Sequence, residues 1–419
     1  MGPKFRANII FIGITGIIIF LSIISFINPY FEVIIDENIK SSDSASSGFI
    51  HINNNWTEAE IMGICEGEGT YSNPYVIQDL LINGSGFEAC ILIENTHEYF
   101  RIENCTVFNS EEPSFGINLY NVNNSQIVNN TYSTYEYGIC LFNCNNNTIS
   151  VNVMNNKTYS DGIYLSESNN NLISKNGVNN SGNSGIVISQ SDDNVITENN
   201  VSFNNHYGIK LYLSDYNTIS ENTANNNMNG IFLSKSFKNN ILRNNAKNNS
   251  CGIRLDNSYY NVISENNGEY NHNGIFLFDS VENLISGNTL KKDLNGIGIF
   301  YSDNNIISGN IVDNNTFKGI ELSHSDKNII SRNTVINNHE WGLYLFDSDS
   351  NKITGNIFIG NDVCIKEIAC KNNFFYNNGA CTYRDIFLII IPIGSIISVG
   401  ALLGILINSA LKSIRKKVQ

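Results

Sequence analysis

Arg254 and Asp256 stand two apart in the stretch "GIRLDNS", and Asp192 and Asp193 form the one adjacent Asp pair of the chain. Carboxylates do acid–base chemistry when two of them flank a scissile bond, and a cation beside them offsets the charge of a uronate substrate. Neither pair meets that need. Asp192 and Asp193 fall in a turn, and an Arg with an Asp two residues along a strand reads as an ion pair on a solvated face. A transition metal calls for His, Met or Cys from neighbouring segments. His206, Met228 and His272 share one position of a repeat, with Cys251 close by, but the two histidines lie three repeats apart, roughly 14 Å. The sequence therefore predicts no catalytic set, no metal site and no other cofactor.

A third group is more numerous. Tyr120, Phe142, Tyr164, Tyr212, Phe232, Phe276, Phe278, Phe300, Tyr344 and Phe346 each follow a glycine by two or four residues, in units that read "GIxLx". In a strand those positions point away from the apolar ones, so these aromatics should share one outer surface. Apolar patches of that size mark contact sites, although aromatics also favour strands for their own sake. They are the candidate binding residues, for a glycan or for an envelope protein.

The elements that must hold them are repeats. "GIFLSKSFKNNILRNN" at Gly230 returns as "GIRLDNSYYNVISENN" at Gly252. Gly116, Gly138, Gly162, Gly185, Gly208, Gly230, Gly252, Gly274, Gly296, Gly319 and Gly342 set the register, at spacings of 22 to 24. Ile or Leu stands one and three residues after every glycine, and Ile stands eleven after. Ser dominates six after, with Val122 and Cys144 as exceptions; Asn dominates nine after and fills every position fourteen after, from Asn130 to Asn356. A fixed period in this range means a solenoid. The second half of each repeat, as in "NTISENTANNNMN" at Asn217, has no helical apolar stripe and is rich in turn formers, which argues against leucine-rich repeats.

The prediction is an all-β, right-handed parallel β-helix of about 22–23 residues per rung. Successive rungs lie about 4.8 Å apart, so identical side chains touch. Ile and Leu columns make the dry core, glycine sits at a corner in a tight bend with no room for Cβ, and Asn columns hydrogen-bond along the stack at the turns. One or two further rungs should stand at each end, giving a rod of roughly 60 Å.

The phrase "GIxLxxSxxNxIxxN" resembles the right-handed β-helix repeat of the NosD-like family, and "GEGTYSNPYVI", Gly67 to Ile77, resembles the lead-in segment of that group. The resemblance spans Phe49 to Asn378. It implies an extracytoplasmic protein, and the family name implies an accessory role in maturing a copper enzyme beside a transporter. β-Helix enzymes acting on polysaccharides carry signatures such as Asn-Thr-Asp, Gly-His-Gly, Arg-Ile-Lys or Asp-Pro-His-Glu, and none occurs here.

Both ends are apolar. Residues 7–27 and 386–407 are each long enough to cross a bilayer core of about 30 Å. Lys4 and Arg6 precede the first, and Lys412, Arg415, Lys416 and Lys417 follow the second, which places both termini in the cytoplasm. The expected organisation is a cytoplasmic start (1–6), a transmembrane helix (7–27), a linker (28–48), an extracytoplasmic β-helix (49–380), a second transmembrane helix (386–407) and a basic cytoplasmic tail (408–419). A net charge of −14 with no basic stripe excludes a nucleic-acid partner. Nine cysteines permit disulfides within the clusters Cys65, Cys90, Cys105 and Cys364, Cys370, Cys381. The sequence thus predicts a cell-membrane protein displaying a binding or scaffolding surface; the alternatives are a NosD-like accessory of a metalloenzyme or transporter, and a polysaccharide lyase or hydrolase.

Overall fold

The computed structural model describes residues 46–110, 115–133, 137–154 and 160–379, with the backbone strand Thr382–Tyr383. They belong to one compact unit. Segments 1–6, 7–27, 386–407 and 408–419, and most of 28–48, lie outside the described residues. Among the described residues no helix is long and apolar enough to cross a membrane.

Most rungs are three short strands. In one, Asn229–Ser234, Asn240–Leu242 and Asn245–Lys247 follow in turn, and the chain comes back as Cys251–Asp256. All pair in parallel with their counterparts one rung on: Ile231 with Ile253, Ile241 with Ile263, Ala246 with Gly268. The first and second faces are sheets of fourteen strands. The third is a six-stranded and a seven-stranded sheet, joined by the single pairs Gly177–Asn200, Asn200–Thr223 and Thr223–Asn245. This is a parallel β-helix, and the first face gains two strands before Phe115 and one after Phe346, at Ile50–Asn53, Ala89–Thr96 and Val363–Ile368. Ser46 and Ser47, read as the end of a linker, pair with Leu81 and Ile82 on the third face.

The predicted columns have the predicted causes. Ile117 to Leu343, Leu119 to Leu345 and Ile127 to Ile353 are buried in one continuous core. A fourth inner column, on the third face, was not evident from the repeat because its residues vary: Val178, Val201, Ala224, Ala246, Gly268, Leu290, Val312. Most of the repeat glycines lie not at a corner but inside first-face strands such as Asn229–Ser234, and they are required for space, since a Cβ on Gly230 would lie 2.6 Å from the carbonyl oxygen of Gly252 and 2.9 Å from that of Ala224. None has positive φ; the left-handed corner positions are held by other residues, such as Asn170, Tyr216 and Lys238 at φ 57°, 58° and 56°.

The Asn columns form ladders. Most side-chain oxygens accept both the backbone and the side-chain N–H of the Asn one rung before, as Asn261 does from Asn239 at 2.8 and 3.1 Å. Each Nδ2 also reaches a core-strand or turn carbonyl, Asn239 to that of Ser214 at 3.0 Å. Buried backbone groups at the corners are thereby satisfied without water. The Ser column works the same way, Ser236 N donating to Ser258 Oγ at 3.2 Å. Cys144 substitutes for serine by accepting Val122 N at 3.4 Å. A third ladder, nineteen residues after the glycines, runs from Ser181 through Asn204 and Asn249 to Asn361.

At the N-terminal end a helix, Trp56–Ile61, turns Trp56 into the core. The indole stacks on Tyr75 at 4.8 Å, and its Nε1 donates to Thr96 Oγ1 at 2.9 Å. The N-terminal cysteine cluster does not join Cys65 to Cys105: both are thiols, each pushed up to about 11 by burial. Cys90 and Cys364 take the place of glycine at the two ends of its column. Cys364 is disulfide-bonded, whereas Cys370 is a thiol.

Candidate functional site

Three columns of side chains point outward from the first face: the residue before each glycine and those two and four after it. In the second column the register runs Tyr164, Val187, Lys210, Phe232, Arg254, Phe276, Gly298, Glu321, Tyr344. Strand alternation puts all ten sequence-predicted aromatics on this face. Tyr120, Tyr212 and Phe278 are exposed; Phe142, Tyr164, Phe276, Phe300, Tyr344 and Phe346 are half-buried; Phe232 is 9% exposed.

The aromatics are not spread evenly over the molecule. Between Thr148 and Asn361 the strands of the second face have no aromatic, and the one in the third, Phe358, is buried in the core. The outward columns of the second face are instead dominated by Ser, Thr and aliphatic residues, and the third adds a column of charges, Lys247, Glu269, Lys291 and Asp313. The third face thus also varies on its outer side, but over these rungs only the first face sets aromatics among its charges.

The first of the three columns escaped the sequence reading. It contributes Phe115, Tyr137, Tyr207 and Trp341, and the signal was present, because strands that begin one residue before the glycine expose that residue by the same alternation. Neighbouring rings stack along the rungs: Phe115 on Tyr137 at 5.4 Å and 22°, Tyr207 on Phe232 at 4.9 Å and 12°. Such rings present edges outward. A broader platform forms where Trp341 and Tyr344, on one strand, stack at 4.6 Å.

Charges are set among the rings. Arg254 donates Nε and Nη2 to the two carboxylate oxygens of Asp256, both at 2.9 Å. Its guanidinium carbon lies 5.8 Å from the Phe232 ring and 5.5 Å from that of Phe276. The bonds to Asp256 hold the guanidinium firmly protonated. The ion pair expected from the sequence is present, but it is packed between aromatics on the candidate face. Lys318 pairs with Glu321 at 2.6 Å and sits over Trp341 and Tyr344. Lys210 lies 5.3 Å from the Tyr207 ring and 6.0 Å from that of Tyr212. Two rungs away Asp161 is buried, which raises its pKa, and its Oδ1 accepts Ser184 N at 2.9 Å.

Elsewhere the chemistry-bearing residues are structural. Asp192 accepts the backbone N–H of Asp215 at 2.7 Å across a turn, so its carboxylate serves a corner ladder. Met228 is exposed, Cys251 is buried with Asn273 Nδ2 at 3.8 Å, and Met154 is in the core. Among the described residues no three His, Cys, Asp or Glu side chains are grouped to hold a metal ion.

Residues 52–250, 198–292 and 222–384 match the protein family described as periplasmic copper-binding protein (NosD). Solved structures share the fold. A mutant of the periplasmic alginate epimerase AlgG aligns over 76% of this chain and 83% of its own, at 18% identity and a TM-score of 0.53. The A-module of the Azotobacter vinelandii mannuronan C-5 epimerase AlgE6 aligns over 72% and 88%, at 12% identity and 0.50. The receptor-binding domain of the siphovirus 9NA tailspike aligns over 80% and 73%, at 10% identity and 0.51. No curated protein sequence matches the chain.

Proposed function

The chain belongs to the NosD family, and from that premise we propose that it is an extracytoplasmic polysaccharide-binding protein, anchored by its apolar segments 7–27 and 386–407 and binding through the outer surface of its first face. One observation carries the reading: between Thr148 and Asn361 the outward strand aromatics stand on that face, interleaved with Lys210, Arg254 and Lys318, while the second face repeats Ser, Thr and aliphatic residues and the third sets Lys against Glu and Asp. Rings and polar groups at rung spacing suit a ligand that itself repeats, and a glycan chain is such a ligand. Solved structures of this fold include an alginate epimerase, a mannuronan C-5 epimerase and a tailspike receptor-binding domain, which makes a glycan the first polymer to test.

The copper in the family's description is a poor fit to this chain. Soft ligands are split between surface and core, and the described residues bring no ligand group together. Binding without turnover is the reading adopted, because the carboxylates of the face are engaged: Asp256 with Arg254, Glu321 with Lys318.

The test uses the full chain in detergent micelles against a panel of neutral and acidic polysaccharides in affinity gels. Retardation by at least one polymer, with polymer mass unchanged over a day, is the expected result. Tyr212→Ala with Phe278→Ala should weaken it by about tenfold, in keeping with the loss of two exposed contacts. Tyr216→Ala with Tyr260→Ala, at a corner off the face, should leave it unchanged. Equal retardation by both double variants, or none by the wild type, would refute the assignment.

A further inference from the structure

Resting on that reading, the charge pattern of the face says what kind of glycan it takes. Among the described residues Lys210 is the one lysine that is neither solvent-exposed nor ion-paired. Its half-buried ammonium is flanked by the rings of Tyr207 and Tyr212. The two neighbouring cations of the face have their own carboxylates, Asp256 for Arg254 and Glu321 for Lys318. Leaving a half-buried cation without an ion-pair partner is costly when nothing is bound. The ring faces soften that cost without neutralising the charge. Asp161, two rungs off, feels the Lys210 charge but is itself buried and bonded to Ser184, and makes no ion pair with it.

Lys210 and Arg254 also occupy one column, with Phe232 between them and Phe276 beyond. Two rungs separate the cations, about 9–10 Å. Arg254 uses Nε and Nη2 on Asp256, so its Nη1 side remains for a ligand. The column therefore alternates cation and ring at the rung spacing.

We propose that the ligand of the first face is an acidic polysaccharide, held by a uronate carboxylate against the Lys210 ammonium and a second carboxylate, two rungs on, against Arg254. Neutral glycans would leave Lys210 unpaired and bind more weakly.

The experiment titrates the full chain in micelles with polygalacturonate, with hyaluronate, whose carboxylates fall on alternate sugars, and with carboxyl-reduced polygalacturonate. Acidic polymers should bind, hyaluronate best, and the reduced polymer about tenfold more weakly. Lys210→Met, which keeps the apolar stem, should bring the acidic polymers down to the level of the reduced one and flatten the salt dependence. Lys210→Arg should restore both. Unchanged acidic binding in Lys210→Met, or preference for the reduced polymer, would overturn this inference while a loss in Tyr212→Ala with Phe278→Ala would leave the binding face standing. No binding of any polymer would sink both.

Discussion

The Asp293 side chain accepts both the backbone N–H of Asn271, at 2.6 Å, and its side-chain N–H, at 3.0 Å, while its second oxygen meets no donor. Every neighbouring step of that ladder, from Asn204 to Asn361, is an asparagine, whose Nδ2 would donate where Asp293 places an oxygen. A proton on the carboxyl restores the missing donor. Burial and the charge of Glu269 favour that proton, and the Asp293 pKa is raised to about 7. Lys247 and Lys292, the nearest cations, are taken by Glu269 at 3.1 and 2.9 Å.

The sign of the pH effect follows. The unfolded carboxyl titrates near 3.9 and the folded one near 7, so its contribution to stability is whole below pH 4 and is lost as pH rises through 7. Asp293→Asn should match the wild type at pH 4 and exceed it at pH 8 by on the order of 4 kcal/mol. Thermal melts of the two proteins at both pH values measure it. A difference that does not change with pH would mean that Asp293 is ionised in the fold.

Gly230→Ala should destabilise by about 2–3 kcal/mol, because the new methyl meets backbone oxygens of Gly252 and Ala224 that neither rotate nor retreat. Gly298→Ala is the comparison. Its Cβ would meet the Phe276 ring at 3.0 Å on the outer face, where a side chain can swing aside, so the cost should be under 1 kcal/mol. Chemical denaturation distinguishes the two.

Asn261→Ala removes the acceptor for two N–H groups of Asn239 and strands Asn283 Oδ1 without one of its donors. Two or more buried groups are left unpaired, at a cost of about 3 kcal/mol or more. Replacing the exposed Asn55 should cost far less, since its side chain bonds only at the surface, to Asn53 N and Glu58. Equal losses in the two variants would show that the buried ladder contributes nothing special.

Trp56→Ala empties the stack with Tyr75 and frees Thr96 Oγ1, a loss of about 3–5 kcal/mol at a buried aromatic. In a solenoid each rung touches only its neighbours, so the damage should stay local. Hydrogen exchange should accelerate in Ile50–Asn53 and Ala89–Thr96 and remain slow in Asn295–Phe300. Uniform acceleration along the stack would point to one cooperative unit instead.

What could be read from the sequence follows from which residues the stack constrains. Ile241, Asn261 and Gly230 are surrounded by copies of themselves, so their columns are nearly invariant and announced the fold. Ala246 and Gly268 face the core too, yet each must fit whatever the glycine and ladder beside it leave free, so that column varies and stayed hidden. Asp293 was concealed for the opposite reason: in an Asn ladder one oxygen in place of a nitrogen looks like noise until the donor is found missing. The outer aromatics Phe276 and Tyr344 were predicted by alternation alone. Tyr207 and Trp341 were missed because the strand was taken to start at the glycine, and the role of Lys210 required knowing that it makes no ion pair.

Hydroxyl-radical footprinting of the full chain, with and without a saturating acidic polysaccharide, tests the binding face most directly. Protection should be confined to Tyr164, Tyr212, Phe276, Phe278 and Tyr344 of the first face, while Tyr216, Tyr260 and Tyr270 at the corners react as before. Protection at the corner tyrosines with none on the first face would contradict the account.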